Sequence, residues 1–518
     1  MCGIFGSINT NSVQDTYTGL SRLEYRGYDS FGYATMSNGN VSVRRQLGSV
    51  DRSAFEQEGG VTIGHVRWAT SGEVTESNAH PQCCGDFYVV HNGVIHNAPD
   101  HMLDTRWLAN LLDLYGGDPA QAYNKIEGDN AFVFLNGETG DVWCVAKGSK
   151  RLFLTSNGYV SSDVNALAGF SETAHVLKDG FCLLNKADAS TLINRCVEVP
   201  HVNPVDDASQ GHRMLAEIQE QATLESNNWP AINHDIDIIA TGSSLHAAMF
   251  GSYALEKAKS IQIRCLHASQ VRYRSLGVDL LAISQSGETK DVINALKDEG
   301  EFTCITNNPH SMLADMATKT TLLDVGPEYA VAATKTFTMC CMKLSGAPPM
   351  TGPINDLIER EDEIRGIARQ IMGYEHFLFL GDGPNYPIAL EGALKFKEVA
   401  YVHAEGMPAS EMKHGPIALV DHRVPSLFIV TEGFRPETIS NIREIKSRRG
   451  FVVVVTHDAI KDKFEGLSDI LVSCQDTECP YSQSLVCNVV LQLLSYYIAV
   501  GRGINPDKPK NLAKCVTV

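Results

Sequence analysis

The sequence predicts an α+β domain followed by two α/β domains built on doubly wound parallel sheets, and three observations point there. Residues 1–200 carry short apolar runs broken by Asn-Gly, Gly-Asp and Asp-Gly signals, the texture of an antiparallel, hairpin-rich sheet. From about residue 231 apolar strands alternate with helical stretches, the rhythm of a parallel sheet covered on both faces. The stretch HFLFLGDGPNYPIALEGALKFKE, from His376, repeats the pattern of IDIIATGSSLHAAMFGSYALE, from Ile236, with Gly383 on Gly242, which marks an internal duplication.

At 518 residues the chain has room for roughly three domains. In the first, DFYVVHNGVI, NAFVFLNGETGDVWCVAKG, RLFLTSNGYVSSD and HVLKDGFCLLN read as strands, with helices at Val13–Tyr25 and Asp104–Tyr115 lying on sheet faces. Residues 201–230 read as a linker carrying one helix, MLAEIQEQATLE. The two α/β repeats are expected over 231–365 and 366–505, and the closing residues 506–518 carry prolines and no periodicity.

Lys plus Arg total 43 against 61 Asp plus Glu, a formal charge of −18 that repels nucleic acid and anionic membranes, so an anionic substrate must be gripped locally. Fourteen Cys raise the question of disulfides, but the start MCGIFGSINT lacks a basic segment, a long apolar stretch and a cleavage signal, so a reduced, cytoplasmic setting is expected. There is no CxxC, so no metal site is expected. The apolar run Leu485–Val500, interrupted by Asn488 and Gln492, is too short to span a bilayer.

Cys2 follows the initiator methionine, and removal of Met1 leaves a thiol and an α-amine on one residue. With a pKa of about 7.7–8.0, such an amine can accept the thiol proton near neutral pH. LEYRGYDS (Leu23–Ser30), HVRWATSGE (His65–Glu73), NAHP (Asn78–Pro81) and VVHNGVI (Val89–Ile95) follow in that order. Together with MCGI these motifs resemble the class II glutamine amidotransferase domain. The resemblance implies a four-layer αββα domain of the N-terminal nucleophile type over residues 1–200. It also implies Cys2 as nucleophile and an oxyanion hole from Asn92 and the N–H of Gly93. Arg67 would clamp the glutamine α-carboxylate and Asp104 its α-amino group. Trp68, Thr70 and His80 would line the pocket, and Arg26 and Tyr28, with Trp68, the way out for ammonia. Ser71 stands where the familiar sugar aminotransferases carry histidine.

Released ammonia needs an acceptor. GSS (Gly242–Ser244) and SQSGET (Ser284–Thr289) each lie between an apolar strand and a helix, where N–H groups and hydroxyls converge on an anion. They resemble the paired sugar isomerase (SIS) domains that hold sugar phosphates, through Ser243, Ser284, Gln285, Ser286 and Thr289. The whole chain then resembles the glutamine:fructose-6-phosphate aminotransferase (isomerizing) family. That likeness implies no cofactor, L-glutamine and D-fructose 6-phosphate as substrates, and a homodimer. VAATKTFT matches a sugar-contacting loop through Val331 and Ala333, with alanine where serine is usual.

EGALKFKE sets Glu391, Lys395 and Glu398 on one helix face, which by spacing alone reads as a solvated salt-bridge ladder. The resemblance makes Glu398 the base moving a proton between C1 and C2, with Lys395 beside it and His414 opening the ring from a neighbouring subunit. His403 and Glu405 would support that segment. Lys514 of NLAKCVTV would form the Schiff base under a tail folded over the sugar site, Cys515 replacing the usual serine. Two rivals remain: an amidotransferase serving a different sugar phosphate, and a non-catalytic sugar-phosphate sensor.

Overall fold

The computed structural model describes residues 2–56, 59–69, 72–184, 196–200, 211–226, 232–277 and 279–515. The chain divides into two compact units, residues 1–210 with 515–518, and residues 211–514.

The first unit carries β1 (Gly3–Ser7), β2 (Ser30–Ser37), β3 (Asn40–Leu47), β4 (Val61–Arg67), β5 (Gln82–Cys84), β6 (Phe87–Gly93), β7 (Asn130–Asn136), β8 (Val142–Leu154), β9 (Tyr159–Ser161), β10 (Thr173–Leu183) and β11 (Cys196–Glu198). They hydrogen-bond in the order β3-β2-β4-β1-β9-β8-β7-β6-β5, with β10 on β8 and β11 on β10, all antiparallel. Two runs expected as separate strands, VWCVAKG and RLFL, are one 13-residue strand, β8, which continues through Gly148 at φ +69°. Period-2 alternation assigns each face. Ile4, Ala34 and Ile63 join Val90, Val133 and Leu135 in one core, so β1, β2 and β4 face β6 and β7. The opposite faces are covered by helices. Phe5, Phe31 and Tyr33 pack under Val13, Leu20 and Leu23 of the helix Ser12–Leu23. Val89, Phe132 and Phe134 pack under Leu108 and Leu112 of the helix Asp104–Leu114.

The second unit holds two five-stranded parallel sheets. One comprises β12 (Ile236–Ala240), β13 (Ile263–His267), β14 (Leu280–Ile283), β15 (Thr303–Thr306) and β16 (Lys319–Leu322), in the order β13-β12-β14-β15-β16. The other comprises β17 (His376–Gly381), β18 (His403–Met407), β19 (Ser426–Ile429), β20 (Val452–His457) and β21 (Ile470–Cys474), in the order β18-β17-β19-β20-β21. The strand orders are the same, one element for one. The inner strands of each sheet are buried on both faces, as parallel sheets require, while the edge strands β13, β16 and β18 are partly exposed. Ile236 and Ile238 of β12, with Phe377 and Phe379 of β17, point into one shared core, while Ile239 and Leu378 point to the opposite faces.

The run Leu485–Val500 is the body of a 22-residue helix, Pro480–Gly501. That helix is longer than the run suggested, and by length and composition alone it could cross a membrane. Instead 89% of its most apolar window is buried inside the protein, in the shared core.

Candidate active site

In the first unit, Cys2 sits immediately before β1, half-buried, with its Sγ 3.5 Å from the carbonyl of Trp68. Arg26 brackets it: Nε donates to the Cys2 carbonyl at 3.1 Å, and the guanidinium pairs with Asp163 at 3.0 Å. Asp163 also accepts from the hydroxyl of Tyr25 at 2.6 Å, and burial followed by the Asp163 charge pushes that phenol well up. Gly27 makes the turn possible, because a Cβ there would lie 2.5 Å from the Trp68 nitrogen. Tyr28 meets Trp68 edge to face at 6.4 Å between ring centroids. Asp29 completes the join, its N–H on the Arg67 carbonyl at 3.0 Å and its carboxylate taking the Ala69 N–H at 2.8 Å.

Arg67, at the end of β4, is 3% exposed. Burial pulls its guanidinium down, and Cys2, Asp29 and Asp104 around it pull the other way. A cation and the Asp104 carboxylate thus share the neighbourhood of the thiol, a pair suited to a zwitterionic amino acid. Asn92, at the end of β6, is buried, and its side chain makes no hydrogen bond among the described residues. Gly93 beside it has φ +149°, where a Cβ would meet the Asp129 carbonyl at 2.4 Å. Thr70 and Ser71 lie outside the described residues.

Behind this pocket lies a histidine network that the sequence reading reduced to His80. The His80 Nδ1 accepts the His91 N–H at 3.4 Å, so its proton is on Nε2. His65 bonds the His91 carbonyl through Nε2 at 2.9 Å, and the His91 ring reaches Thr105 at 3.1 Å and Asn130 at 2.9 Å. Burial pushes His65 and His80 well below the usual histidine range, so both are neutral. Strand alternation in HVRW and VVHN, which turns His65 and His91 inward, was the available signal.

In the second unit, the loops after β12 and β14 flank the point where strand order reverses, the usual crevice of a doubly wound sheet. The loop after β14 is held from below, the Gln285 carbonyl accepting from Asn307 N–H at 2.9 Å and the Thr306 hydroxyl at 3.2 Å. Within it Ser284 and Thr289 hydroxyls meet at 2.9 Å, and Ser286 accepts the Glu288 N–H at 3.1 Å. Ser243 gives its hydroxyl hydrogen to Glu391 at 2.8 Å, so it is not a donor to an anion in this arrangement. Its neighbour Ser244, at the same helix start, makes no side-chain hydrogen bond among the described residues.

The helix Asn385–Ala400 carries the charged set. Glu391 and Lys395 are fully buried, which rules out a solvated ladder, while the Glu398 side chain is 19% exposed. The Lys395 Nζ stands 3.1 Å from Glu391 and 2.7 Å from Glu398. Burial alone would neutralise Glu391, but Lys395, then His246 at 2.8 Å and Ser243, hold it down to about 2. For Lys395, burial is likewise overcome by the two carboxylates, which keep it charged. His246 was missed, since its partner lies 145 residues away. His414 is exposed, its N–H on the Glu411 carbonyl at 2.9 Å, and His403 and Glu405 are exposed on β18.

Lys514 is brought to the segment carrying Val331 and Ala333. Its Nζ donates to Glu328 at 2.5 Å and to the Ala330 carbonyl at 2.8 Å, and its side chain is 5% exposed. Glu328, also missed by sequence reading, further accepts from Thr334 and Thr336; against its burial, Lys514 and these donors hold it to about 2. Upstream, the Asp507 carboxylate takes the N–H groups of Arg213 and Met214, each at 2.8 Å, at the start of the helix Arg213–Gln219.

A family model for the SIS domain matches residues 232–345 and 371–500. The chain is similar along its full length to proteins named glutamine--fructose-6-phosphate aminotransferase [isomerizing]. That of Pyrococcus horikoshii is 34% identical over 605 aligned positions and that of Bradyrhizobium diazoefficiens 35% over 613, each alignment covering 100% of both chains. Among solved structures, the C-terminal domain of glucosamine-fructose-6-phosphate aminotransferase from Francisella tularensis superposes with a TM-score of 0.53 at 30% identity, covering 58% of this chain and 99% of that one.

Proposed function

The chain belongs to the glutamine--fructose-6-phosphate aminotransferase (isomerizing) family, and on that premise we propose how its residues divide the chemistry. The enzyme converts D-fructose 6-phosphate and L-glutamine to D-glucosamine 6-phosphate and L-glutamate. Residues 1–200 act as a class II amidotransferase domain of the N-terminal nucleophile type, a reading supported by the helix-covered, face-to-face strands around β1 and β6. Residues 201–230 link it to SIS domains over 231–365 and 366–505, and 506–518 form the closing tail.

With Met1 removed, the α-amine of Cys2 takes the thiol proton and the sulfur attacks the glutamine carboxamide carbon. The oxyanion that forms is met by the unspent Asn92 amide and the Gly93 N–H, and ammonia departs past Trp68, Tyr28 and Arg26. Water then frees glutamate from the thioester. Arg67 and Asp104 fix the α-carboxylate and α-ammonium, while Thr70, Trp68 and His80 shape the pocket.

The phosphate sits among Ser284, Gln285, Ser286 and Thr289, with Ser244 as a further donor and Ser243 beside the sugar. Val331 and Ala333 border the sugar through their backbone. His414, from a neighbouring subunit of a homodimer, opens the ring, Lys514 forms the imine at C2, the incoming ammonia displaces the lysine nitrogen from that carbon, and Glu398, steadied by Lys395, moves the proton between C1 and C2. No cofactor is needed for these steps, and a cytoplasmic location is part of the same reading.

The observation that carries the second-unit assignment is the hydrogen bond from Ser243 to Glu391, which ties the loop after β12 to the helix bearing Lys395 and Glu398. The test is to incubate the purified chain with glutamine and fructose 6-phosphate and identify the product by mass. Hexosamine phosphate is expected; none under any condition defeats the reading. Cys2→Ala should abolish the glutamine-dependent product yet retain synthesis from high free ammonia.

A further inference from the structure

The helix Arg213–Gln219 has no part in this division of labour, yet it grips the loop that holds Lys514. Glu217 is 3% exposed, and its Oε1 accepts the N–H groups of Tyr329 at 2.5 Å and Ala330 at 3.2 Å. Its Oε2 is buried and has no hydrogen-bond partner among the described residues. Ala330 is therefore held through its N–H by Glu217, while its carbonyl takes the Lys514 ammonium at 2.8 Å. Nearby, Glu220 pairs with the buried Lys335 at 2.5 Å and Gln221 accepts from Thr338 at 2.6 Å, so three side chains of this segment pin the stretch from Tyr329 to Thr338.

We propose that Glu217 is a positioning residue for Lys514: it fixes the turn from Glu328 to Val331 so that the Glu328 carboxylate and the Ala330 carbonyl present the lysine nitrogen to the ketose. That role rests on reading Lys514 as the imine-forming residue. In the step it serves, the lysine nitrogen gives up two of its three protons, one before its lone pair closes on C2 and one after, and the carbonyl oxygen leaves as water carrying both. The protonated imine remains, so atoms and charge balance without an outside reagent.

The charges around Glu217 add a second, separable consequence. Glu328 and Lys514 face it; Glu220 on its own helix segment is spent on Lys335, Arg213 lies over the Tyr329 ring at 4.8 Å, and Asp507 caps the helix start. Burial, then the Glu328 charge, push Glu217 up to about 8 against the pull of Lys514 and the two N–H groups. Below that pH Glu328 is the one carboxylate set against the one ammonium. Above it a second negative charge appears beside the Lys514–Glu328 pair, a charge that Glu217→Gln does not develop.

The test is borohydride trapping with fructose 6-phosphate, read as the mass of the reduced adduct on Lys514 from pH 7 to 9.5. Glu217→Gln keeps the carbonyl acceptor and should trap at pH 7 within about threefold of the parent chain. Glu217→Ala, which frees the turn, should trap at least about tenfold more slowly. Between pH 7 and 9.5 the ratio of Glu217→Gln trapping to that of the parent should change, because only the parent gains a charge at this position. An adduct on Lys514 in the parent with an identical pH profile in Glu217→Gln, or undiminished trapping in Glu217→Ala, overturns the role of Glu217. No adduct on Lys514 in the parent overturns the Lys514 reading itself.

Discussion

The two parallel sheets of the second unit share a strand order but not a chemistry. At the reversal point of the first, the loop after β14 offers Ser284, Ser286 and Thr289; at the corresponding edge of the second, a cavity of about 220 Å³ is bordered by Asp382 and Glu432 with Arg435. Hydroxyls beside helix starts suit an anion, and carboxylates there oppose one. The second repeat instead sends its charged residues along the helix after β17, to Glu391, Lys395 and Glu398. Duplication thus copied a scaffold, and the proposed division of labour, a half that binds and a half that moves protons, follows where the two repeats differ in side chains.

That contrast can be broken or sharpened by substitution. Glu398→Gln should lower kcat for hexosamine phosphate by about 10²–10⁴-fold with little change in KM for the sugar, by steady-state assay. A rise in KM with kcat intact would assign Glu398 to binding. Glu391→Ala strips a fully buried carboxylate from Lys395, Ser243 and His246 and should cost about 3–5 kcal/mol, seen as a lowered midpoint in denaturant unfolding. Ser286→Ala, on the binding half, should raise the sugar KM by about tenfold and leave kcat nearly intact, the loss of one hydrogen bond to a charged group. The mildest effect is on pH. Glu328 and Glu391 are held to about 2, below the ordinary carboxylate value, so their stabilisation is complete above about pH 4.5 and is lost as pH falls toward 2. Thermal midpoints should fall through that window, and less steeply in Glu391→Gln.

The elements of both repeats were legible because strand and helix signals are local: apolar β17 followed by a Gly turn and an Ala-rich helix reads the same way as β12. Cys2, Arg67 and Asn92 stand out in the sequence because they sit inside short motifs. Glu217, Glu328 and His246 do not, because each gains its meaning from a partner 112, 186 or 145 residues away. EGALKFKE shows a different limit. Its spacing gave the shared face correctly, but whether charges on that face meet water or a core depends on what packs over them. Likewise β8 was read as two strands, since a glycine in a strand carries the same local sign as a turn.

The grip of Asp507 on the start of the helix Arg213–Gln219 makes a leash of the seven residues that follow it. Fully stretched, such a leash spans about 25 Å, so an amine released from Glu328 and Ala330 stays within that distance of the anchor. Within it the local concentration of that nitrogen is on the order of 10 mM, far above that of the protein itself. Removing that anchor, with Asp507→Ala, lengthens the leash back toward the helix Pro480–Gly501 and leaves the contacts of Lys514 with Glu328 and Ala330 in place.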